Sequence, residues 1–203
     1  MPPGHLHLVV LASGRGSNFL AICAAIERGD LDAEIAVVIS DRSSPVLAEA
    51  ETKGLANVWI NPSDYATKAD YEKEIVRRLQ GHGANLVVLA GYMRLVGAEM
   101  LQHYYQRILN IHPALLPSFP GLKAQKQALD YGVRFSGCSV HLVDAGMYTG
   151  PILAQTAVPV LEGDTEDILS QRILAEEHKL YFRVLQWLAE GRVYLDQRRT
   201  VIR

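Results

Sequence analysis

A short apolar run, residues 6–12 (LHLVVLA), breaks abruptly into Ser13-Gly14-Arg15-Gly16-Ser17-Asn18, and this junction constrains the fold more than any other feature of the chain. Helical spacing sets in directly afterwards, at Phe19, Leu20, Cys23 and Ile26. Strand, glycine turn and helix in that order start a βα unit, and the chain then repeats the alternation. Residues 35–40 (IAVVIS) read as a strand followed by a helix at 45–53, and a short strand falls near 57–60. A helix spans 65–79, residues 86–90 (LVVLA) form a buried strand, and a helix over roughly 97–104 leads into a strand at 107–111. Apolar strands alternating with helices predict an α/β fold with a mostly parallel, Rossmann-like sheet covered on both faces.

Past residue 111 the pattern changes. Residues 123–131 read as a helix, and 136–143 and 152–160 alternate like antiparallel or mixed strands. A long helix over 165–190 carries Ile168, Ile173, Leu180, Val184, Trp187 and Leu188 at apolar positions, and 192–203 read as a basic tail, a strand followed by loose residues. No repeat, low-complexity stretch or linker intervenes, so residues 1–203 are expected to form one domain.

Charge narrows the range of partners. The formal net charge is −2 with both signs interspersed, so neither nucleic acid nor an anionic membrane is an expected partner. Any bound phosphate must then be held by a local site. Residues 1–5 lack a basic leader region and the first apolar run is only a strand long, so no signal peptide and no membrane span are expected. Cys23 and Cys138 sit in apolar surroundings without metal-ligand spacing; they read as small core residues in a cytoplasmic, reducing setting.

In the glycine turn, the backbone can approach a ligand closely, and the first turn of the following helix offers unpaired N–H groups to an anion. Ser17 and Asn18 are placed to cap that helix or to bind phosphate oxygen. A capped helix start with no ligand fits the turn equally well. A dinucleotide fold is a decoy: Asp41 follows the second strand where a ribose-binding acid would stand, but Phe19 occupies the place of the third glycine and no Gly-Lys-Ser/Thr follows.

The most informative stretch is Asn110-Ile111-His112-Pro113-Ala114-Leu115-Leu116-Pro117, running on to Pro120-Gly121. Asn110 and His112 are two apart at the end of a strand, so both point to one side of the sheet. Pro113 ends the ladder there. An amide and an imidazole then converge at the carboxyl edge of the sheet, where open α/β folds bind ligands. When an amine attacks a formyl carbon, an amide N–H and an imidazolium N–H can both donate to the growing oxyanion, and imidazole can move a proton. The competing reading is a strand-end histidine packed under a proline loop. Of the other histidines, His5 and His7 share a strand face without an evident third ligand, His141 falls in a core strand, and His82 and His103 are surface positions. No H-E-x-x-H pattern occurs, so no metal is expected.

Together with Leu89-Ala90-Gly91-Tyr92-Met93-Arg94, Gln127-Ala128 and Gly150-Pro151-Ile152, these segments stand in the order seen in glycinamide ribonucleotide formyltransferases, which the chain resembles over nearly its whole length. The Asn-x-His-Pro segment is shared with folate formyltransferase domains generally; the early Gly-Ser-Asn turn is more specific. The resemblance implies a formyl transfer from 10-formyltetrahydrofolate, as co-substrate, to the amine of glycinamide ribonucleotide in purine synthesis. It implies that Gly16, Ser17 and Asn18 hold the phosphate, and that Glu177, with the segment from Leu174, binds the ribose. Met93, Arg94, Leu95 and Val96 would line the pteridine pocket, Lys68 would stand near the folate tail, and Asp144, Ala145, Gly146, Met147 and Tyr148 would form the folate-side loop. Asn110 and His112 would be catalytic. Ribonucleotide binding would then fall in about 1–105 and catalysis with folate binding in about 106–203, in a monomer or homodimer.

One position departs from the family. Its members carry a catalytic Asp two residues before the Gly-Pro, and Tyr148 stands there in this chain. A phenol, with a pKa near 10, is neutral at pH 7 and lends no negative charge to an imidazolium at His112. Reduced activity is the expected consequence. Asp144, four residues away, is a poor substitute. Other readings are a non-catalytic nucleotide- or folate-binding protein and a formyltetrahydrofolate hydrolase, which usually carries a further N-terminal domain. A methionyl-tRNA formyltransferase would be expected to carry a basic C-terminal domain, and an NAD-binding dehydrogenase is the outside candidate.

Overall fold

The computed structural model describes residues 4–203. The βα alternation runs β1 (Leu6–Ala12), α1 (Ser17–Glu27), β2 (Ala33–Ser40), α2 (Pro45–Thr52), β3 (Asn57–Trp59), α3 (Lys68–Gly81), β4 (Leu86–Leu89), α4 (Ala98–His103) and β5 (Ile108–His112). It continues with α5 (Ala124–Tyr131), β6 (Phe135–Leu142), β7 (Ile152–Pro159), α6 (Glu166–Ala189), β8 (Val193–Asp196) and β9 (Arg199–Ile202). Seven strands form one sheet in the order β3-β2-β1-β4-β5-β6-β7. The pairs from β3 to β5 are parallel, and β5–β6 and β6–β7 are antiparallel. The expected single α/β domain with its mixed extension is the fold observed.

Strand alternation divides the core. Leu8, Val10 and Ala12 of β1 face the cluster that α1 and α6 cover, while Val9 and Leu11 face the one that α3 and α4 cover. Residues 8–12 are wholly buried, which is why this strand reads as a continuous apolar run. The fully buried Tyr181 ties α6 to the sheet, its hydroxyl lying 3.0 Å from Leu89 O and 3.1 Å from Leu109 O. Cys23 and Cys138 are buried and unpaired, and burial pushes their thiols up to about 11 and about 12.

Most element bounds differ from the sequence reading by one or two residues, and two larger differences have a local cause. The helix expected from residue 65 begins at Lys68, because Thr67 Oγ1 accepts Asp70 N–H at 3.1 Å and caps it, while Pro62–Asp64 make a separate 3-10 turn. The expected loose end of the tail is β9, which pairs with β8, and Thr200 Oγ1 donates to Ile152 O at 2.7 Å, anchoring the hairpin on β7.

The chain leaves β1 toward β2 on one side of the sheet, and β4 lies on the other. That reversal opens a crevice at the carboxyl ends of the strands, beside the turn after β1.

Candidate active site

The turn after β1 is shaped by close packing. Gly16 has φ 79°, and a Cβ there would run into the Val46 side chain. Val46 is brought close by its N–H, which donates to Gly14 O at 3.1 Å. Glycine is thus required both for the left-handed conformation and for space. The cap position makes no side-chain hydrogen bond, so the first N–H groups of α1 are left for an incoming anion.

Asn18 is buried and donates from Nδ2 to Glu177 Oε2 at 2.8 Å, tying α1 to α6. Burial raises the Glu177 carboxyl above the usual range, and the Asn18 hydrogen bond only partly offsets this. Asn18 Oδ1 is buried without a partner among the described residues. Gly16, Ser17, Asn18, Leu174 and Glu177 line one cavity of about 670 Å³ together with Asn110, His112 and Lys123. Asp41 takes a different role. Burial works against its charge, but hydrogen bonds from Arg42, with Nη2 at 3.0 Å, and from Ser13 hold its carboxyl below the usual value. It is committed to that pair and lines neither cavity.

Asn110 and His112 meet at the junction of the parallel and antiparallel halves of the sheet. In the β5–β6 register Asn110 stands opposite His141, and His112 opposite Ser139. His141 Nδ1 lies 2.9 Å from Leu142 O, an acceptor, so Nδ1 carries its proton. His141 Nε2 then accepts from Asn110 Nδ2 at 3.1 Å. One amide hydrogen of Asn110 is engaged this way, and the second is available to a ligand. By the same logic His112 Nε2–H donates to Phe119 O at 2.9 Å, which leaves Nδ1 as the lone pair of the neutral ring. Burial lowers the His112 pKa below 6.5; the Phe119 bond works against that shift and His141 adds to it. Burial lowers His141 as well. His112 is therefore neutral at pH 7, and the imidazolium donor expected from sequence is replaced by an imidazole with an open acceptor.

Tyr148 closes the group. Its ring centroid lies 4.4 Å from that of His112 and 5.9 Å from that of His141. Burial raises its pKa, so the phenol is uncharged. Asp144 does not take its place: its Oδ1 accepts Gly146 N–H at 3.1 Å and Thr149 Oγ1–H at 2.7 Å and so is turned into its own loop. Among the described residues no carboxylate is paired with His112.

A second cavity, of about 450 Å³, is lined by Lys68, Arg94, Leu95, Val96, Asn110, His141 and residues 144–148. Met93, expected here, borders the larger cavity instead, because its N–H donates to Ser13 Oγ at 2.9 Å and holds it on the β1 side. The two cavities share Tyr92, Arg94, Leu95, Asn110, Met147 and Tyr148 as a common wall. Sequence reasoning missed His141 and the Phe119 carbonyl. The sequence places His141 in a core strand, but only the register sets it against Asn110.

His5 and His7 each pair with an acid at 2.6 Å, Asp32 and Glu34 respectively. No helix among the described residues is long and apolar enough to cross a membrane.

A family model described as formyl transferase matches residues 6–185. The phosphoribosylglycinamide formyltransferase of Bacillus subtilis (strain 168) is 44% identical over 180 residues, 88% of this chain and 92% of that protein. The enzyme of the same name from Escherichia coli (strain K12) is 36% identical over 193 residues, covering 95% and 91%. Among solved structures, glycinamide ribonucleotide transformylase 1 from Symbiobacterium toebii superposes with a TM-score of 0.96 at 47% identity, covering 98% of this chain and 94% of that one.

Proposed function

This chain belongs to the formyl transferase family, and from that membership we propose that it transfers the formyl group of 10-formyltetrahydrofolate to the amine of glycinamide ribonucleotide, giving formylglycinamide ribonucleotide for purine biosynthesis. The observation that carries the reading is the common wall: Asn110 and Tyr148 border both cavities, and His112 and His141 stand beside them. Two ligands held on either side of that wall present an amine and a formyl carbon to the same groups. Holding both converts a bimolecular step into an effectively unimolecular one.

The larger cavity takes the ribonucleotide, with its phosphate at Gly16, Ser17 and Asn18 and its ribose at Glu177 and Leu174. The smaller cavity takes the folate between the 94–96 segment and the 144–148 loop, with Lys68 at its tail; about 450 Å³ is ample for a bicyclic ring. The amine attacks the formyl carbon, a C–N bond forms, and charge moves onto the carbonyl oxygen. Asn110 donates its free amide hydrogen to that oxygen. His112 accepts a proton from the amine at Nδ1 and returns it to the folate nitrogen as the C–N bond to folate breaks. With Tyr148 neutral, no fixed charge stabilises the imidazolium formed in passing, so turnover is low for an enzyme of this kind. The enzyme is cytoplasmic, a monomer or homodimer, and uses no metal.

The test is a thermal-shift titration with glycinamide ribonucleotide and with a stable folate analogue, followed by a formyl-transfer assay. Both ligands raise Tm and formylglycinamide ribonucleotide accumulates if the reading is right. Binding without turnover selects a non-catalytic binding protein, and formate release independent of the ribonucleotide selects a hydrolase.

A further inference from the structure

A buried carboxylate outside the reaction stands behind the smaller cavity. Glu72 of α3 is 3% exposed. Its Oε1 accepts Gly97 N–H at 2.6 Å, and Lys68 Nζ, one helical turn earlier, lies 3.6 Å from the same oxygen. Lys68 and Gly97 both line the cavity. A carboxylate taken out of water costs stability unless it is paired and hydrogen-bonded. Both partners here are cavity groups.

Gly97 is fitted to this carboxylate. A Cβ there would lie 2.6 Å and 2.7 Å from the two Glu72 oxygens, closer than real atoms approach. The carboxylate therefore lies against the backbone at the end of the 93–97 segment. Ser13 holds the other end, accepting Met93 N–H at 2.9 Å through Oγ and donating its own N–H to Gly91 O at 3.1 Å. The segment between is the cavity wall.

We infer that Glu72 is a positioning residue for the smaller cavity: through Gly97 N–H it fixes the wall that meets the ligand ring, and through Lys68 it orients one cation at the rim for a ligand with a carboxylate tail. The inference rests on the reading of this cavity as the folate side. Backbone groups held in place beforehand lose less freedom on binding, so the effect appears as ligand affinity and leaves the chemical step alone.

The experiment uses the full chain with Glu72→Ala, Glu72→Gln, Gly97→Ala and the double change Glu72→Ala/Gly97→Ala. Calorimetry gives Kd for a stable 5-deaza analogue of formyl-folate and, separately, for glycinamide ribonucleotide, and thermal unfolding gives Tm. Glu72→Ala weakens the folate analogue about tenfold, the scale of one charge-assisted hydrogen bond, and leaves the ribonucleotide within about twofold. Glu72→Gln keeps an acceptor for Gly97 N–H but frees Lys68, and falls between. Unchanged folate affinity in a folded variant, or equal weakening of both ligands, overturns the inference. If Glu72→Ala does not fold, the near-isosteric Glu72→Gln decides in the same way. Gly97→Ala lowers Tm, and removing the Glu72 carboxylate relieves part of that loss. This coupling is measured without ligand, so a chain that binds no folate sinks the functional reading while leaving the contact separately tested.

Discussion

The turn after β1 and the loop between β6 and β7 bring cavity-lining groups to the same rim by opposite means. The turn works through backbone: Gly16 is left-handed, hemmed in by Val46, and offers N–H groups rather than a side chain. The loop works through a side chain: Tyr148 also has positive φ, 60°, at a cost of about 1–2 kcal/mol for a residue with a Cβ. Its ring packing on His112 and His141 offsets that cost. A backbone site leaves no choice of residue, whereas a side-chain site can change its chemistry and keep its shape.

Removing the groups that both regions serve has the largest effect. His112→Ala and Asn110→Ala each lower kcat by about 10²–10³ and leave ribonucleotide Kd nearly unchanged. A large loss of ribonucleotide affinity at constant kcat, read from steady-state kinetics beside calorimetry, would break the division between binding turn and chemical centre.

Tyr148→Asp probes whether the loop is the tunable region. A carboxylate beside His112 favours its protonated form and raises kcat by about 10² if proton transfer limits the rate. The pH profile sharpens this. Burial holds the His112 pKa below its usual value, so the parent's kcat is at its plateau on the alkaline side and falls as pH drops through that lowered pKa. In Tyr148→Asp that falling limb moves to higher pH. Equal turnover and superimposable profiles would show that the carboxylate is dispensable.

Gly16→Ala tests the rigid region. It strains φ and presses on Val46, costing about 1–3 kcal/mol in stability and raising ribonucleotide KM about tenfold, with kcat at saturation little changed. A variant with parental Tm and KM would mean the turn is as adaptable as the loop. The smallest effect belongs to Tyr148→Phe. The hydroxyl makes no hydrogen bond among the described residues, so kcat stays within about twofold, the ring being the part that counts.

The same contrast explains what could be read in the sequence. Continuous apolar strands, the glycine turn and the Asn110–His112 spacing follow from local rules, and the structure brings them to one rim. The partners His141 and Phe119 O come from strand register and from a loop after Pro113, neither of which a local pattern encodes. Met93 borders the larger cavity, where its N–H bonds Ser13, 80 residues away in the chain, a contact that no local pattern encodes. Helix α3 started late because Thr67 capped it, and the tail became a hairpin because Thr200 reached β7. Tyr148 is visible in the sequence as a departure, but its tilted approach to two imidazole rings is not.

The partition between the two cavities also has a thermodynamic consequence. A wall made of Tyr92, Arg94, Leu95, Asn110, Met147 and Tyr148 borders both cavities, so an occupant of one touches groups that also face the other. Whatever factor the first ligand lends to the second, the second must return in equal measure. On the proposed assignment of the two cavities, any coupling between donor and acceptor would pass through these few shared side chains, and either order of arrival would reach the same ternary complex with the same total free energy.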